Sequence, residues 1–506
     1  EDLKLTLGVR VEMPFYPIDA PRNPRVEDLG ISVENPRNPG EFIEPRVDQF
    51  PSVNPVFSPR FGFNWDALGD KSLQVRGGSG IFTGRPIFVH LSNQVNGNGV
   101  TRGFIGLLPD QWGQDGNPTW DGFQADVNYY RPNPAEQEPT VSSSLSVTDE
   151  NFKLPQTWRS NLAADYVLNG FVFTAEGIFS KDYNTPFSAN LSSVPTGESI
   201  NIAGNAYPTY DQVALGGAIN ELYYLTNIND RTYASLTIGA EKNWGKGIFT
   251  SLAYTRSQTR DFGLIGGSQA ASLWPGDVQE GRNNPEEGFS RNDQPNRVVG
   301  LISFNTKGLN ESNNTSFNLY YSAGEQGRFS YTYSGNLNGE GSGTSLMYIP
   351  ENLEDAQLVD RVSGGSIVQT AQQQWDILNN YIENDPYLSE NRGSVSERNG
   401  AVLPWLHRLD LSIVQDINLT KDPTAHKLQF RADILNVLNM MNDSWGVSRQ
   451  TVQRNLMNFE GTDGNGNAQF TINPIQGEST FPTDVTVPNF SLGQTWSAQF
   501  GVKYIF

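Results

Sequence analysis

From Trp496 to Phe506 every second residue (Trp496, Ala498, Phe500, Val502, Tyr504, Phe506) is apolar or aromatic, and those between are mostly polar. A period of two predicts a strand with one greasy face. The chain opens on the same pattern, with Leu3, Leu5, Leu7, Val9 and Val11 alternating against Lys4, Thr6, Gly8, Arg10 and Glu12. In between, the alternation recurs in pairs. Phe61, Phe63 and Trp65 lead through "LGDKS" to Leu73 and Val75. Residues 158–181 set Leu162, Ala164 and Tyr166 against Phe171, Phe173, Ala175 and Phe179 across Asn169-Gly170, a strong hairpin signal. Further pairs fall at 233–243 with 247–258, 297–306 with 315–333, and 405–419 with 426–436. About twelve strands are predicted, each near the ~10 residues that cross a bilayer at ~45° tilt.

The connections between hairpins differ sharply from the turns within them. Intervals 85–155, 183–231, 259–295, 337–404 and 437–493 are long, polar and rich in Gly, Asn, Asp and Pro. They alternate with the tight turns, so one end of the sheet carries short turns and the other large loops. That asymmetry predicts an all-β fold, a transmembrane antiparallel β-barrel with short periplasmic turns and long extracellular loops. A soluble sandwich does not keep its long loops on one side, and propeller blades recur at more regular spacing. The terminal strand is expected to close the sheet and leave no edge. Within one loop, 368–383 spaces Val368, Ala371, Trp375, Ile377 and Leu378 as a short helix packed on its own loop.

Composition agrees. Aromatic residues make up 11% although only 37% are hydrophobic, with 50 Gly, 30 Pro and a mean hydropathy of -0.47. No stretch approaches the roughly 18 apolar residues of a membrane helix, which leaves strand-crossing open. With no cysteine there is no disulfide, thiol nucleophile or thiolate metal site. A net charge of -20 argues against nucleic acid as a partner. The first residues lack the regions of a signal peptide and already read as strand, so the chain is expected to be a fragment or a processed piece.

Taken together, "SPRFGFNWDALGDKSLQVRGGSGIFTGRP" (58–86), "LPQTWRSNLAADYVLNGFVFTAEGIFSKDY" (154–183), "HRLDLSIVQDINL" (407–419), "LQFRADILNVLN" (428–439) and the Phe-ended last strand resemble the TonB-dependent outer-membrane transporters, in particular their SusC/Oar-like branch. The resemblance implies that residues 1–506 are the C-terminal part of the receptor barrel, its last ~12 strands of 22 around a plug. No plug domain or TonB-contacting segment is matched. The implied function is active import of a large nutrient, peptide or glycan, across the outer membrane of a Gram-negative bacterium, with this chain supplying barrel wall and substrate loops. Implied partners are the TonB complex through the plug, outer-membrane lipids, a surface lipoprotein lid, and the barrel-assembly machinery, whose recognition signal Tyr504 and Phe506 resemble. A non-transporting scaffold subunit and a passive twelve-stranded porin remain as alternatives.

An enzyme is not expected. His90, His407 and His426 are scattered without metal-ligand or triad spacing, and the latter two sit by strand ends as interfacial residues. Glu176 and Glu241 fall on polar strand faces, and "GGSG" (77–80) reads as glycines that relieve crowding in a strand. No cofactor is expected beyond a candidate Ca²⁺ in the loops. "DGNGN" alternates oxygens at Asp463, Asn465 and Asn467, yet Ala468 and Pro474 occupy positions where an EF-hand needs Gly and Glu. The ligand candidates are loop aromatics beside amides and acids: Trp112 and Trp120 with Asp110 and Asp115, Tyr223 and Tyr224, Trp274, Trp375, and Trp445 with Asn442 and Asp443. Flat rings stack on sugars or grip side chains. Large loops also need aromatics for small cores of their own.

Overall fold

The computed structural model describes residues 2–506 except 18–19, 86–87, 102–108, 115–117, 127–128, 131–138, 264–265, 307–312, 421–425 and 476–481. Twelve strands run in chain order through one antiparallel sheet: β1 (Leu3–Glu12), β2 (Val56–Asp66), β3 (Leu73–Thr83), β4 (Gln156–Leu168), β5 (Phe171–Tyr183), β6 (Thr232–Gly245), β7 (Ile248–Asp261), β8 (Asn296–Asn305), β9 (Asn313–Glu325), β10 (Trp405–Asn418), β11 (Lys427–Leu435) and β12 (Ser497–Ile505). The predicted strands are found, with one shortened. The run 315–333 leaves the sheet after Glu325, where Gly327 takes φ 125°, and Arg328–Phe329 pairs with Ala401–Val402 instead. The connection 13–55, between β1 and β2, is a further long loop at the same end as the others.

Register extends the alternation from strand to sheet. Leu3, Leu5, Leu7, Val9 and Val11 stand opposite Trp65, Phe63, Phe61, Pro59 and Phe57. Farther along, Tyr166 faces Phe173, which faces Ala240. A slip of one residue anywhere would carry that strand's apolar set to the other face. The opposite face is polar and charged. On it Arg76 Nε lies 3.1 Å from Asp165 and Nη1 3.6 Å from Glu176, while Thr174 donates to Asp165 at 2.7 Å. Glu241 occupies the same face through its pairing with Val172.

Aromatic rings border the apolar face at both ends. Toward the short turns, Phe171 meets Trp244 edge-on at 5.5 Å, and Lys242 Nζ lies 4.1 Å and 4.5 Å from their ring centres. Toward the loops, Trp158 meets Phe179 at 5.5 Å, and His407 stacks between Tyr321 and Trp405. His426 stacks on Tyr504 at 5.9 Å, at the short-turn end. Both histidines thus sit in the aromatic borders, where rings with one apolar and one wet side belong.

Local chemistry accounts for the turns. Asn169 and Gly170 take φ 52° and 77°, and Lys246 and Gly247 take 51° and 81°. Both central residues are left-handed in each pair, the type I′ geometry whose twist matches the strands. In the strand glycines, crowding is the reason for the residue. A Cβ on Gly77 would lie 2.8 Å from the Phe63 ring and 2.9 Å from the Asn161 carbonyl oxygen.

Closure differs from expectation. Among the described residues β1 and β12 do not pair, and each leaves one backbone edge open. Nearly every residue of both strands is exposed on both faces. The alternation of the last strand specifies which side faces which medium. It does not specify what the far edge pairs with, and here the twelve strands turn through less than a full circle.

The loops are not structureless. They hold short ladders such as Ser193–Ile202 with Asn205–Gln212, Thr185–Asn190 with Glu221–Ile228, and Met457–Thr462 with Ala468–Ile472. The buried apolar core lies here and not in the wall. One cluster gathers Tyr207, Tyr331, Tyr333, Met347, Tyr381 and Phe470, and a second gathers Leu145, Phe187, Leu222 and Tyr224. A short helix, α1 (Phe88–Asn96), lies in the 84–155 loop. The predicted helix is α2 (Ala371–Asn384), starting later than the spacing implied. Thr370 caps it, accepting from Gln373 N–H, while Val368 belongs to an exposed hairpin strand, Ser366–Gln369. Its Leu378, Tyr381 and Ile382 are buried in the first cluster, so α2 packs on its own loops.

Candidate ligand-facing loops

The structure brings only some of the predicted aromatics together. Trp112 and Trp120 meet edge-to-face at 5.1 Å, and both pack on Tyr130, which stacks on Trp120 at 5.4 Å. Tyr129 adds a fourth ring, 4.9 Å from Tyr130, and its hydroxyl donates to Asp121 at 2.9 Å. Half of Trp120 stays exposed, and Phe123 beside it is 91% exposed. Tyr129 and Tyr130 escaped the sequence reading, although paired tyrosines nine and ten residues beyond Trp120 in the same loop were a usable signal. Asp110 lies in the turn before Trp112, and Asp115 falls outside the described residues.

The other candidates lie apart from this cluster. Tyr223 and Trp274 are buried and 6.4 Å apart, with the Trp274 indole donating to Asn283 at 2.9 Å. The Arg282 guanidinium lies 3.6 Å from the Trp274 ring centre. Burial pushes the Tyr223 hydroxyl up to about 12 and raises that of Tyr224, which belongs to the second loop core. All three rings are buried among the loops in this structure. Trp375 packs partly against the first core, whereas Trp445 is 52% exposed in a turn closed onto Asn442.

At the calcium candidate, Asp463 accepts the N–H groups of Asn465 and Asn467 at 2.8 and 2.9 Å and the Asn467 amide at 3.0 Å. Those bonds hold its carboxyl below the usual range. Asn467 Oδ1 accepts in turn from Asn201 at 2.8 Å. The three residues close a hairpin turn, and the side-chain oxygens of Asp463 and Asn467 already have donors. No group of three or more His, Asp or Glu side chains among the described residues is arranged to hold a metal.

A polar cleft of about 450 Å³, missed in the sequence, opens where the 262–295, 326–404 and 436–496 loops meet. Its lining includes Asp277, Arg282, Glu340, Ser342, Arg454 and Asn455. Glu340 is buried and accepts from Ser193 Oγ at 2.8 Å and Arg282 N–H at 2.9 Å. Desolvation raises its carboxyl above the usual range against those bonds, and desolvation likewise lowers Arg282. Asp277 and Arg454 are different. Among the described residues neither side chain has a hydrogen-bond or ion-pair partner, so two opposite charges remain available at the cleft.

Comparison with known proteins bears on this arrangement. Searched against curated proteins, the chain matches none. Among solved structures it is similar to the outer membrane transporter YddB from Escherichia coli, at 10% identity and a TM-score of 0.40, covering 90% of this chain and 41% of that one. It is similar to the FrpB iron transporter from Neisseria meningitidis, at 8% and 0.39, covering 100% and 43%. A third is BauA, the ferric preacinetobactin receptor from Acinetobacter baumannii, at 11% and 0.35, covering 99% and 40%. The chain therefore spans less than half the length of each. A family model described as "Outer membrane beta barrel domain" matches residues 1–468. With alternating strands, an asymmetry of turns and loops and aromatic borders at both ends of one apolar face, the chain belongs to the outer membrane beta barrel domain family.

Proposed function

We propose that this chain is one arc of a larger, plugged barrel that imports a large nutrient across the outer membrane by TonB-dependent active transport. The wall supports this reading through its open edges. A sheet cannot sit in hydrocarbon with unpaired backbone groups, each costing several kcal/mol by order of magnitude. Further strands, to a total of 22 by the family resemblance, complete the cylinder and leave a lumen for a plug. Tyr504 and Phe506, at the end of β12, serve as the assembly signal. The TonB complex acts on the plug, and a surface lipoprotein lid of the SusC type covers the loops.

The cargo reading rests on the loops. Their folded cores make a rigid mouth, and the free Asp277 and Arg454 at one cleft match the opposite charges of a peptide better than a neutral glycan. The Trp112, Trp120 and Tyr130 rings offer a second surface for apolar or sugar faces. Uptake of fluorescent oligopeptides by cells carrying the full-length protein tests this. Accumulation is expected to require TonB and to fall about ten-fold when Asp277→Lys and Arg454→Glu are combined, the loss of one or two charged contacts. Equal entry with and without TonB overturns active transport, and entry of glycans alone overturns the peptide class.

A further inference from the structure

Two arginines on the polar face of the wall stand without counter-charges. Arg60 on β2, Gly80 on β3 and Arg159 on β4 lie opposite one another across the ladder, and Gly62, Gly78 and Asn161 form the next row on the same face. That face is the one that carries Arg76, because Asn64, opposite Arg76, shares a side of β2 with Arg60. Gly78 and Gly80 floor a pocket of about 510 Å³ that Arg60, Arg159, Asn161 and Phe82 line. A Cβ on Gly80 would lie 3.0 Å from Arg60 Cγ, and one on Gly78 3.0 Å from the Phe61 carbonyl oxygen, so a side chain at either position would crowd this space. Glycine inside a strand often marks a place where a ligand comes close to the backbone.

Acids on the same face are engaged elsewhere, Asp165 and Glu176 by Arg76, and Asp182 by Thr157 and Arg231. Among the described residues the side chains of Arg60, Arg159 and Asn161 have no hydrogen-bond or ion-pair partner. Arg60 lies 4.4 Å from the centre of the Phe82 ring, a contact that steadies the guanidinium without neutralising it. Two strand spacings set the arginine backbones about 10 Å apart, so their long side chains can close on one oxyanion from both sides. We propose that Arg60, Arg159 and the Asn161 amide form a carboxylate site on the inner wall, in the loop-side half of the barrel, which holds a carboxylate of a peptide in transit. A guanidinium fork matches the two oxygens of a carboxylate. The site itself rests on the wall, and the arrival of its carboxylate on a peptide rests on the import reading above.

Modification of the full-length protein in detergent with phenylglyoxal, which attacks free guanidiniums, tests it when each arginine is followed by peptide mass spectrometry. The probes are acetyl-trialanine with a free terminal carboxylate, the same peptide as its amide, and inorganic phosphate. The free carboxylate should slow modification of Arg60 and Arg159 about ten-fold, the order of one charge-assisted pair, and the amide should not. Arg76, already held by Asp165 and Glu176, should react equally in all samples. Arg159→Gln should reduce the protection of Arg60 to about two-fold or less, with heat-modifiable migration confirming that the variant has folded. Equal protection by acid and amide, protection by phosphate alone, or arginines unreactive before any probe is added overturns the site. The measurement needs neither TonB nor energy, so protection without TonB-dependent uptake refutes the import reading alone, and uptake without protection refutes this site alone.

Discussion

Asp385 shows how much one buried side chain carries in the loops. Its Oδ1 accepts the N–H groups of Tyr387 and Leu388, both at 2.8 Å, and its Oδ2 accepts the Tyr331 hydroxyl. It thereby caps the helix Pro386–Glu390 and satisfies a tyrosine in the first core, whose hydroxyl burial raises above its ordinary pKa. Replacing a cap costs about 1 kcal/mol, and leaving the buried Tyr331 hydroxyl with only a 3.5 Å contact to Tyr381 adds roughly 1 kcal/mol or more. Asp385→Ala should therefore raise hydrogen exchange throughout 353–402 while exchange in β4–β7 stays unchanged, as mass spectrometry would read it. The sequence shows an Asp before a Pro but not the tyrosine 54 positions away that makes this Asp indispensable. Tyr223, Tyr224 and Trp274 are illegible for the same reason. Whether an aromatic in a long loop is a platform or a core residue depends on distant chain packed over it, and only Trp112 and Trp120 had their partners close in sequence.

At the scale of elements, legibility follows the length of the repeat. Wall strands such as Thr232–Gly245 alternate long enough for the period of two to stand clear, and their turns carry local signals such as Asn169-Gly170. Loop strands such as Glu221–Ile228 are buried on both faces, and "ELYYLTNI" shows no alternation. Buried ion pairs join the two layers. Arg328 lies 2.8 Å from Asp293, and Arg398 lies 2.9 Å from Asp261, fastening the 326–404 loop to the strand ends beneath it. Arg328 also lies 3.8 Å from the Phe289 ring centre. Breaking a buried pair from one side costs about 3–5 kcal/mol because the remaining charge stays in a dry site. Arg328→Met should open this loop to limited proteolysis and lower its unfolding temperature. Adding Asp293→Asn should restore much of the loss, since the stranded carboxylate is then removed.

The whole molecule is organised inside out relative to a soluble domain. Its dry core sits in the loops, and its largest apolar surface faces outward from the wall, where Leu7, Val9, Leu236, Ile238 and Leu252 are all more than half exposed. That distribution is stable only if hydrocarbon covers one face and water the other. These 506 residues hold no cysteine, so within them a single introduced cysteine carries a spin label without competing sites, any cysteine elsewhere in the full-length protein being replaced by serine. Labels placed in turn at residues 234 to 240 of β6, in the full-length protein reconstituted in lipid vesicles, should collide with oxygen at Ala234, Leu236, Ile238 and Ala240. They should collide with a water-soluble nickel chelate at Ser235, Thr237 and Gly239. Equal accessibility along the strand, or the opposite phase, would contradict the account.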